Sequence, residues 1–514
     1  MKPSIVALLM TVVAVRAAEP TVTEERMPGG ISVIKITSAD RRALASYRID
    51  LSTHHYPAAG ADDKLVKRFR SWRFGAFLCF NSNQYSGQEF CPSKDPVSEF
   101  QPTSLEVKEW IQTIKAAGMK YAVLTVRHTS ELLLWDSQTS PVNVVNSAYR
   151  KDLVKEYVTE CRRQGIEPGF YYCLWGNAWR PNPNARAIIL AQLHELATRY
   201  GKIAYFWLDM PHLTGWLAKD LSQQELYDSL KNVHADTIVL FNNTIQDGSV
   251  VQASPTDVIN GEMCLPPAHR HNPVRTVEGR TCYLPFEYEP CSQQRGYELL
   301  GRWDYPGAVW FTYGSGKPFV PSKPFPAEFL YHRIQLAYQR GAASVLLACA
   351  PDYTGKFRQE DVAQLLRLGQ MLKDPSLAPP RSLTTGCRAT ASSVWDASYA
   401  AERAVDGDPA TRWGAAKGAT NGWLEVDLGK PATISRAVIS EGWDRVRQFI
   451  LEARIGDTWH PVTTGTTLGT YKELSFDRVT AQIFRLTITE ATDVPTLWEF
   501  QLFPLKKQNV IPRP

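Results

Sequence analysis

The sequence predicts an α/β protein, a (β/α)8-like barrel followed by an all-β sandwich. Three observations support this prediction. Apolar strands alternate with amphipathic helices from residue 72 onward, and the strand at residues 203–209 is an apolar run that ends in Asp209. After a proline-rich segment, helical periodicity disappears and short alternating strands follow, which is typical of a sandwich.

The length of 514 residues and a hydrophobic content of 44% allow two separate cores. We expect a signal peptide at residues 1–18, a barrel at 19–373, a linker at 374–381 and a sandwich at 382–506. The linker is assigned from its prolines, because proline-rich segments are extended and do not continue a helix.

The barrel elements are expected in strict strand–helix order. Residues 103–106 resemble a capping box that begins the first helix, and Gly118 ends it. Residues 249–326 are rich in proline and loop residues, so we expect an irregular part of the barrel there. The predicted strands are 74–80, 121–126, 169–174, 203–209, 237–241 and 344–348, and the other predicted helices are 153–164, 185–200 and 223–234.

The N-terminus indicates export. Lys2 is followed by a short apolar run at residues 5–15 and by Ala17 and Ala18, the pattern of a cleaved secretory signal peptide. The run is too short to span a membrane comfortably, and no second run approaches that length. We therefore expect a periplasmic or extracellular protein with no integral membrane segment in the mature chain.

The composition narrows the classes of partner. The balance of 57 Lys+Arg against 52 Asp+Glu gives a net charge of +5 without a basic stripe, so no nucleic-acid partner is expected. The 15 Trp and 21 Tyr residues supply rings of the kind that stack on sugars. The nine cysteines contain no C-x-x-C pair, and no metal or other cofactor is expected.

Asp209 is the first candidate for a catalytic residue. An acid at the carboxyl end of a buried parallel strand points into the pocket where chemistry occurs in barrels. The alternative is that Asp209 only caps the following helix or closes the top of the barrel.

Segments between residues 72 and 372 resemble glycoside hydrolase family 29, the α-L-fucosidases. They follow one another in the order found in the family. The matching segments are 73–77, 83–90, 117–128, 135–137, 169–171, 206–209 and 346–351.

The resemblance implies a retaining α-L-fucosidase, in which two carboxyl groups about 5 Å apart act as nucleophile and acid/base. It places the nucleophile at Asp209 and the acid/base at Glu262, on a loop after the following strand. Glu289 is kept as the second candidate for the acid/base. The alternative for any loop glutamate is a solvated side chain without a catalytic role.

The resemblance also implies a fucose-binding set and a fucosylated oligosaccharide or polysaccharide as the partner. Charged and imidazole groups would bond the hydroxyls, and rings would pack on the apolar face of the sugar. The motif at residues 88–90 is similar to the branch that prefers α-1,3/4-linked fucose. The expected substrate-binding residues are Glu89, Phe90, His128, Tyr171 and Trp207.

Several positions depart from the family pattern. Cys79 and Thr129 stand where histidines are expected, residues 130–132 replace Asp-Gly-Phe, and Met210 replaces a glycine. Lost imidazoles remove hydrogen bonds worth about 1–3 kcal/mol each. A glycosidase for another sugar and a non-catalytic glycan-binding protein therefore remain alternatives.

The C-terminal segment resembles the discoidin, or coagulation-factor C-type, module, which is a galactose-binding-like sandwich. The matching pieces are 389–393, 404–413, 422–429 and 484–486. We expect Asp406, Trp413 and Trp423 to be turn and core residues. The expected function is a carbohydrate-binding module that raises the effective concentration at a glycan.

Overall fold

The computed structural model describes residues 19–37, 45–86, 95–176, 182–211, 220–244, 246–294, 308–311 and 322–504. The predicted signal peptide and the candidate residues Glu89 and Phe90 lie outside the described residues. Among the residues inside these ranges, no helix is both long and apolar enough to cross a membrane.

The strands are β1 (Thr21–Met27), β2 (Ile31–Thr37), β3 (Ala45–Asp50), β4 (Phe74–Leu78), β5 (Tyr121–Arg127), β6 (Glu167–Cys173), β7 (Tyr205–Asp209), β8 (Ile238–Phe241), β9 (Ile259–Glu262), β10 (Val274–Val277), β11 (Arg280–Tyr283), β12 (Phe286–Glu289), β13 (Gln293–Gln294), β14 (Ala308–Val309), β15 (Lys323–Pro324), β16 (Ala342–Cys349), β17 (Arg388–Ala391), β18 (Trp413–Gly414), β19 (Gly422–Glu441), β20 (Val446–Ile455), β21 (Thr458–Gly465), β22 (Lys472–Ala491) and β23 (Thr496–Phe503). The helices are α1 (Lys64–Trp72), α2 (Asn83–Ser86), α3 (Pro96–Glu99), α4 (Val107–Ala116), α5 (Leu153–Gln164), α6 (Ala185–Arg199), α7 (Gln223–Lys231), α8 (Ala327–Gln339) and α9 (Gln359–Lys373).

The first domain is a nearly closed parallel barrel, which confirms the predicted fold class. Within the described residues its eight strands follow the order β8-β7-β6-β5-β4-β16-β12-β9. The two end strands, β8 and β9, are joined through the side chain of Asn260. The backbone N–H of Asn243, just after β8, donates to Asn260 Oδ1 at 2.8 Å. All eight strands run the same way, so their carboxyl ends converge at one mouth.

Two strands of the barrel lie in the region that was expected to be irregular. Strands β9 and β12 are each four residues long, and the β10–β11 hairpin separates them. Polar residues interrupt their apolar pattern, because Asn260, Glu287 and Glu289 face a polar barrel interior, whereas Gly261 faces outward against Phe286. The apolar run that usually marks a buried strand is therefore missing.

The ends of two helices test the predicted helix signals. Gly165 ends α5 in the left-handed conformation with φ 74°, as a glycine after a helix should. The capping box at residues 103–106 was a wrong prediction, because Glu106 precedes α4 and its side chain makes no capping hydrogen bond. A complete capping box occurs instead at α7, between Ser222 and Glu225.

The second domain is an antiparallel β-structure with its own hydrophobic core, as predicted for the C-terminal segment. Trp413 is fully buried, and Gly407 has φ 76° in the expected turn after Asp406. Trp423 is not a core residue, because it is half-buried and its ring stacks on the Arg485 guanidinium at 4.4 Å. The aromatic ring is shielded by a charged neighbour instead of by the core.

Candidate active site

Asp209 is the last residue of β7 and lies at the mouth of the barrel. Tyr205, Trp207 and Asp209 alternate along β7, so their side chains face the barrel interior together. The Tyr171 hydroxyl donates a short hydrogen bond to Asp209 Oδ2, and the Met210 backbone N–H donates to Oδ1 at 2.8 Å. Asp209 is 8% exposed, so these donors fix an almost buried carboxylate.

Glu262 faces Asp209 from β9. It is the last residue of that strand, so the expectation that it lies on a loop was wrong. Asn242 Nδ2 donates to Asp209 Oδ1 at 2.7 Å and to Glu262 Oε2 at 2.9 Å. These two oxygens are therefore no farther apart than the sum of the two distances, about 5.6 Å.

Asn242 is the functional residue that the sequence prediction missed. Its Oδ1 accepts from Asn260 Nδ2 at 2.9 Å and from the Thr244 backbone N–H at 2.8 Å. Because the oxygen is occupied in this way, the amide must present its NH2 group to the two acids. The polar run at residues 242–244, directly after a buried strand, was the available signal in the sequence.

The electrostatics of the pair separate the two carboxyl groups. Burial, and then the negative charge of Asp209, raises the pKa of Glu262 to about 7, while the hydrogen bond from Asn242 opposes this shift. Near pH 7 a large fraction of Glu262 is thus protonated. A carboxyl of this kind can donate a proton at neutral pH.

Two further acids lie on β12 and are fully buried. Glu289 stands opposite Glu262 in the parallel register, and burial followed by the charge of Glu262 raises its pKa well above the usual range. Glu287 lies two residues earlier, where the hydroxyls of Tyr121 and Tyr205 donate to it at 2.7 and 2.8 Å. Burial raises the pKa of Glu287 to about 7.

An aromatic wall continues from Asp209. The Tyr171 ring stacks between His128 and Trp207, with centroid distances of 5.6 and 5.3 Å. Burial, and then the charge of Arg127, lowers the pKa of His128 to about 3, so the imidazole is neutral at pH 7. The structure thus brings together His128, Tyr171 and Trp207, three of the five predicted substrate-binding residues.

Two departures from the family pattern have a common backbone feature. Met210 and Glu131, which stands at the middle of the segment 130–132, have φ values of 54° and 65°. Both positions adopt the left-handed conformation that glycine tolerates best. Glu131 Oε1 accepts from Arg127 at 3.3 Å. The chain therefore keeps a glycine-like backbone next to the site while carrying larger side chains.

The other two departures lie beside the site. Cys79 follows β4 and is buried, and its backbone N–H donates to the Cys349 carbonyl at 3.3 Å. The Thr129 hydroxyl lies 3.2 Å from His128 Nδ1, so it contacts the remaining imidazole. Within the described ranges, no three His, Cys, Asp or Glu side chains are grouped as a metal site.

A parallel barrel with paired carboxyl groups at its mouth defines the class of the first domain as a glycoside hydrolase. Residues 58–279, which include Asp209 and Glu262, match the family model for α-L-fucosidase, and residues 388–500 match the F5/8 type C domain. The barrel domain belongs to the α-L-fucosidase family, glycoside hydrolase family 29, and it is followed by a discoidin domain.

Individual relatives agree with these matches. An Oryza sativa subsp. japonica protein provisionally named α-L-fucosidase 1 is 23% identical over 459 residues, 83% of this chain and 82% of that protein. Arabidopsis thaliana α-L-fucosidase 1 is 31% identical over 147 residues, 27% of this chain and 29% of that protein. A mutant Ruminococcus gnavus GH29 fucosidase in complex with fucose has a similar fold, with a TM-score of 0.50 and 18% identity over 88% of this chain and 97% of that chain.

Proposed function

We propose that the protein is a retaining α-L-fucosidase that removes terminal α-linked fucose from glycans by double displacement. The observation that carries this proposal is the Asn242 amide, which holds one oxygen of Asp209 and one of Glu262 within about 5.6 Å. Retaining enzymes place their carboxyl groups about 5–5.5 Å apart, whereas inverting enzymes need about 6.5–9.5 Å to admit a water.

In the first step, Asp209 attacks the anomeric carbon while Glu262 protonates the departing glycosidic oxygen. The carbon–oxygen bond to the aglycone breaks, and an ester bond between the sugar and Asp209 forms. Tyr171 and the Met210 backbone N–H hold Asp209 before the substrate arrives. The nucleophile therefore needs little reorganisation during the reaction.

In the second step, Glu262 accepts a proton from water, and the water oxygen attacks the anomeric carbon. The ester bond between the sugar and Asp209 breaks, and Asp209 leaves as a carboxylate. Formation of the ester removes the negative charge of Asp209, which is the second cause of the raised pKa of Glu262. The pKa of Glu262 thus falls when it must act as a base. This exchange of roles is what a retaining mechanism requires of one residue.

We propose that the wall formed by His128, Tyr171 and Trp207 binds the sugar. The stacked rings form an apolar wall beside Asp209, which suits the apolar face and methyl group of fucose. The preference for α-1,3/4 linkages is proposed from the motif at residues 88–90. Initial rates on fucosylated oligosaccharides with α-1,2, α-1,3, α-1,4 and α-1,6 linkages test it, and faster cleavage of α-1,2 or α-1,6 linkages contradicts it.

We propose that the protein is exported, on the basis of the basic start and apolar run of its N-terminus. N-terminal sequencing of the protein secreted by its host tests this. Cleavage close to Ala18 is expected, and retention of Met1 on the mature protein in the cytoplasm contradicts export.

The central experiment measures release of fucose from aryl α-L-fucoside and from fucosylated oligosaccharides, with ¹H NMR of the first anomer formed. We expect α-L-fucose as the initial product and loss of turnover in Asp209→Asn. First formation of the β-anomer contradicts retention, and release of a different sugar from a panel of aryl glycosides favours a glycosidase for that sugar. Glycan binding without any turnover favours a non-catalytic protein.

A further inference from the structure

The amino end of the barrel, opposite the two catalytic candidates, contains an open cleft of about 590 Å³. The end of α1, the starts of β4 and β16, and the segments around the β10–β11 hairpin form its walls. A monosaccharide unit fits within this volume, since small-molecule sites are typically about 300–1,000 Å³.

The cleft is strongly cationic. Lys67, Arg70, Arg73 and Arg270 line it, and no acidic side chain is among its described lining residues. Lys67 pairs with the exposed Asp62 at 2.9 Å, whereas the three arginines form no ion pair with the residues that the structure describes. The chain has a net charge of only +5, so four cations around one cleft concentrate positive potential there.

Two of these arginines are held in place by their neighbours. The Arg73 guanidinium lies over the Tyr338 ring at 3.8 Å, and its Nη1 donates to the Ala343 carbonyl at 3.4 Å. The Arg270 side chain passes so close to Gly341 that a Cβ there would lie 3.2 Å from Arg270 Cγ. Cations that are already ordered lose less entropy when a ligand binds.

A buried acceptor accompanies the cations. His271 is 5% exposed, and its Nε2 lies 2.9 Å from the Leu284 carbonyl, which requires the hydrogen to be on Nε2. Burial lowers the pKa of His271 to about 4, so the imidazole is neutral at pH 7. Its Nδ1 is therefore an acceptor, and it has no hydrogen-bond partner among the described residues. This atom is buried behind the wall of the cleft, so the cationic side chains supply the binding groups.

We propose that this cleft binds an anionic sugar within a glycan, one that carries a sulfate ester or a carboxylate. The arginines bind the anionic group, and the Tyr338 and Tyr283 rings border the sugar. The site lies at the end of the barrel away from Asp209, so it anchors an acidic glycan without occupying the catalytic mouth.

Isothermal titration of the full-length protein at low salt tests this inference. The probes are a heparin hexasaccharide, its fully desulfated form, a galacturonate hexasaccharide and inorganic sulfate. The cleft variant is Arg70→Ala/Arg270→Ala, and the charge-matched control is Lys108→Ala/Lys115→Ala on the exposed face of α4. We expect at least one acidic hexasaccharide to bind, and the cleft variant to weaken it about 10-fold or more. The control should change affinity by less than about 2-fold, because Lys108 and Lys115 lie outside the cleft and alter only the long-range electrostatic potential.

Heparin carries both sulfates and carboxylates, and its desulfated form keeps the carboxylates. Binding of heparin alone therefore indicates a sulfate site, whereas binding of desulfated heparin or galacturonate indicates a carboxylate site. Three results would overturn the proposal: no binding of either acidic hexasaccharide, equal loss of binding in the cleft and control variants, or displacement by inorganic sulfate at the same molar concentration as by the sugar. Turnover of a small aryl α-L-fucoside should be unchanged in both variants, so a failure here leaves the proposed activity unaffected.

Discussion

The barrel interior contains two pairs of carboxyl groups, one contributed by β7 and β9 and the other by β12. Asp209 and Glu262 lie at the mouth, where they share the Asn242 amide and Glu262 keeps some exposure. Glu287 and Glu289 lie on β12 and are completely buried, with Glu289 in register with Glu262 and Glu287 two residues farther from the mouth. Residue type is similar in both pairs, so access for a substrate and the surroundings of each carboxyl group distinguish them.

The surroundings of the two pairs favour different protonation states. In the pair at the mouth, Asp209 accepts hydrogen bonds from Tyr171 and the Met210 backbone N–H. These bonds favour a carboxylate beside the protonated Glu262. In the pair on β12, burial is the largest cause of the raised pKa of both Glu287 and Glu289. A neutral buried acid serves the packing of the barrel, whereas a charged acid beside a protonated one can carry out displacement at a sugar.

The largest expected effect on kcat distinguishes Asp209 at the mouth from Glu287 on β12. Asp209→Asn should lower kcat on aryl α-L-fucoside about 10⁴-fold or more, because the amide cannot form the covalent intermediate. Glu287→Gln should stay within about 3-fold, because Glu287 only needs to remain neutral beneath the site. Steady-state kinetics of both variants test this. A loss of kcat in Glu287→Gln as large as that in Asp209→Asn would contradict the assignment of Glu287 to a structural role.

The next effect distinguishes the two glutamates opposite each other in β9 and β12. Glu262→Gln should slow cleavage of oligosaccharides about 10²–10⁴-fold, and much less for an aryl fucoside whose leaving group needs no proton. Glu289→Gln should leave both substrates within about 3-fold, since it replaces a neutral acid by a neutral amide. If Glu289→Gln shows the dependence on leaving group instead, Glu289 is the acid/base.

The raised pKa of Glu287 should be visible in the pH dependence of stability. The pKa of Glu287 is raised from 4.5 to about 7 in the folded state, so its favourable contribution is complete below pH 4.5 and is lost as the pH rises through 7. The free energy of unfolding of Glu287→Gln relative to wild type should increase by up to about 3 kcal/mol between pH 4.5 and 8. Denaturant titrations at both pH values measure this difference. If the free energy of unfolding of the variant relative to wild type is the same at both pH values, the pKa of Glu287 is not raised.

The smallest expected effect concerns the shared amide. Asn242→Ala should lower kcat/KM about 10–100-fold, because both acids lose a donor. The bond from Asn242 favours charged Glu262, so its loss should raise the pKa of Glu262 and move the alkaline limb of the pH–rate profile upward. Asn243→Ala is the matched control, since the Asn243 side chain donates to the Val250 carbonyl. An unmoved limb in Asn242→Ala would contradict the bridging role.

The sequence was informative where one segment carried the whole signal. The alternation of strands and helices predicted the barrel, and an apolar run ending in an acid predicted Asp209. Strands β9 and β12 were missed because their short polar sequences face a polar interior. Asn242 was missed because its role arises only when β7, β8 and β9 converge, which no single segment encodes. Glu262 was predicted from the resemblance, and its place at a strand end needed the structure.

Mechanism-based trapping tests the assignment of Asp209 most directly. The protein is inactivated with a 2-deoxy-2-fluoro-fucosyl fluoride, which slows the second displacement, and peptide mass spectrometry then locates the adduct. The proposed mechanism predicts one fluorofucosyl group esterified to Asp209. An adduct on Glu262 or Glu289, or full turnover of fucosides with no covalent adduct on any residue, would contradict it.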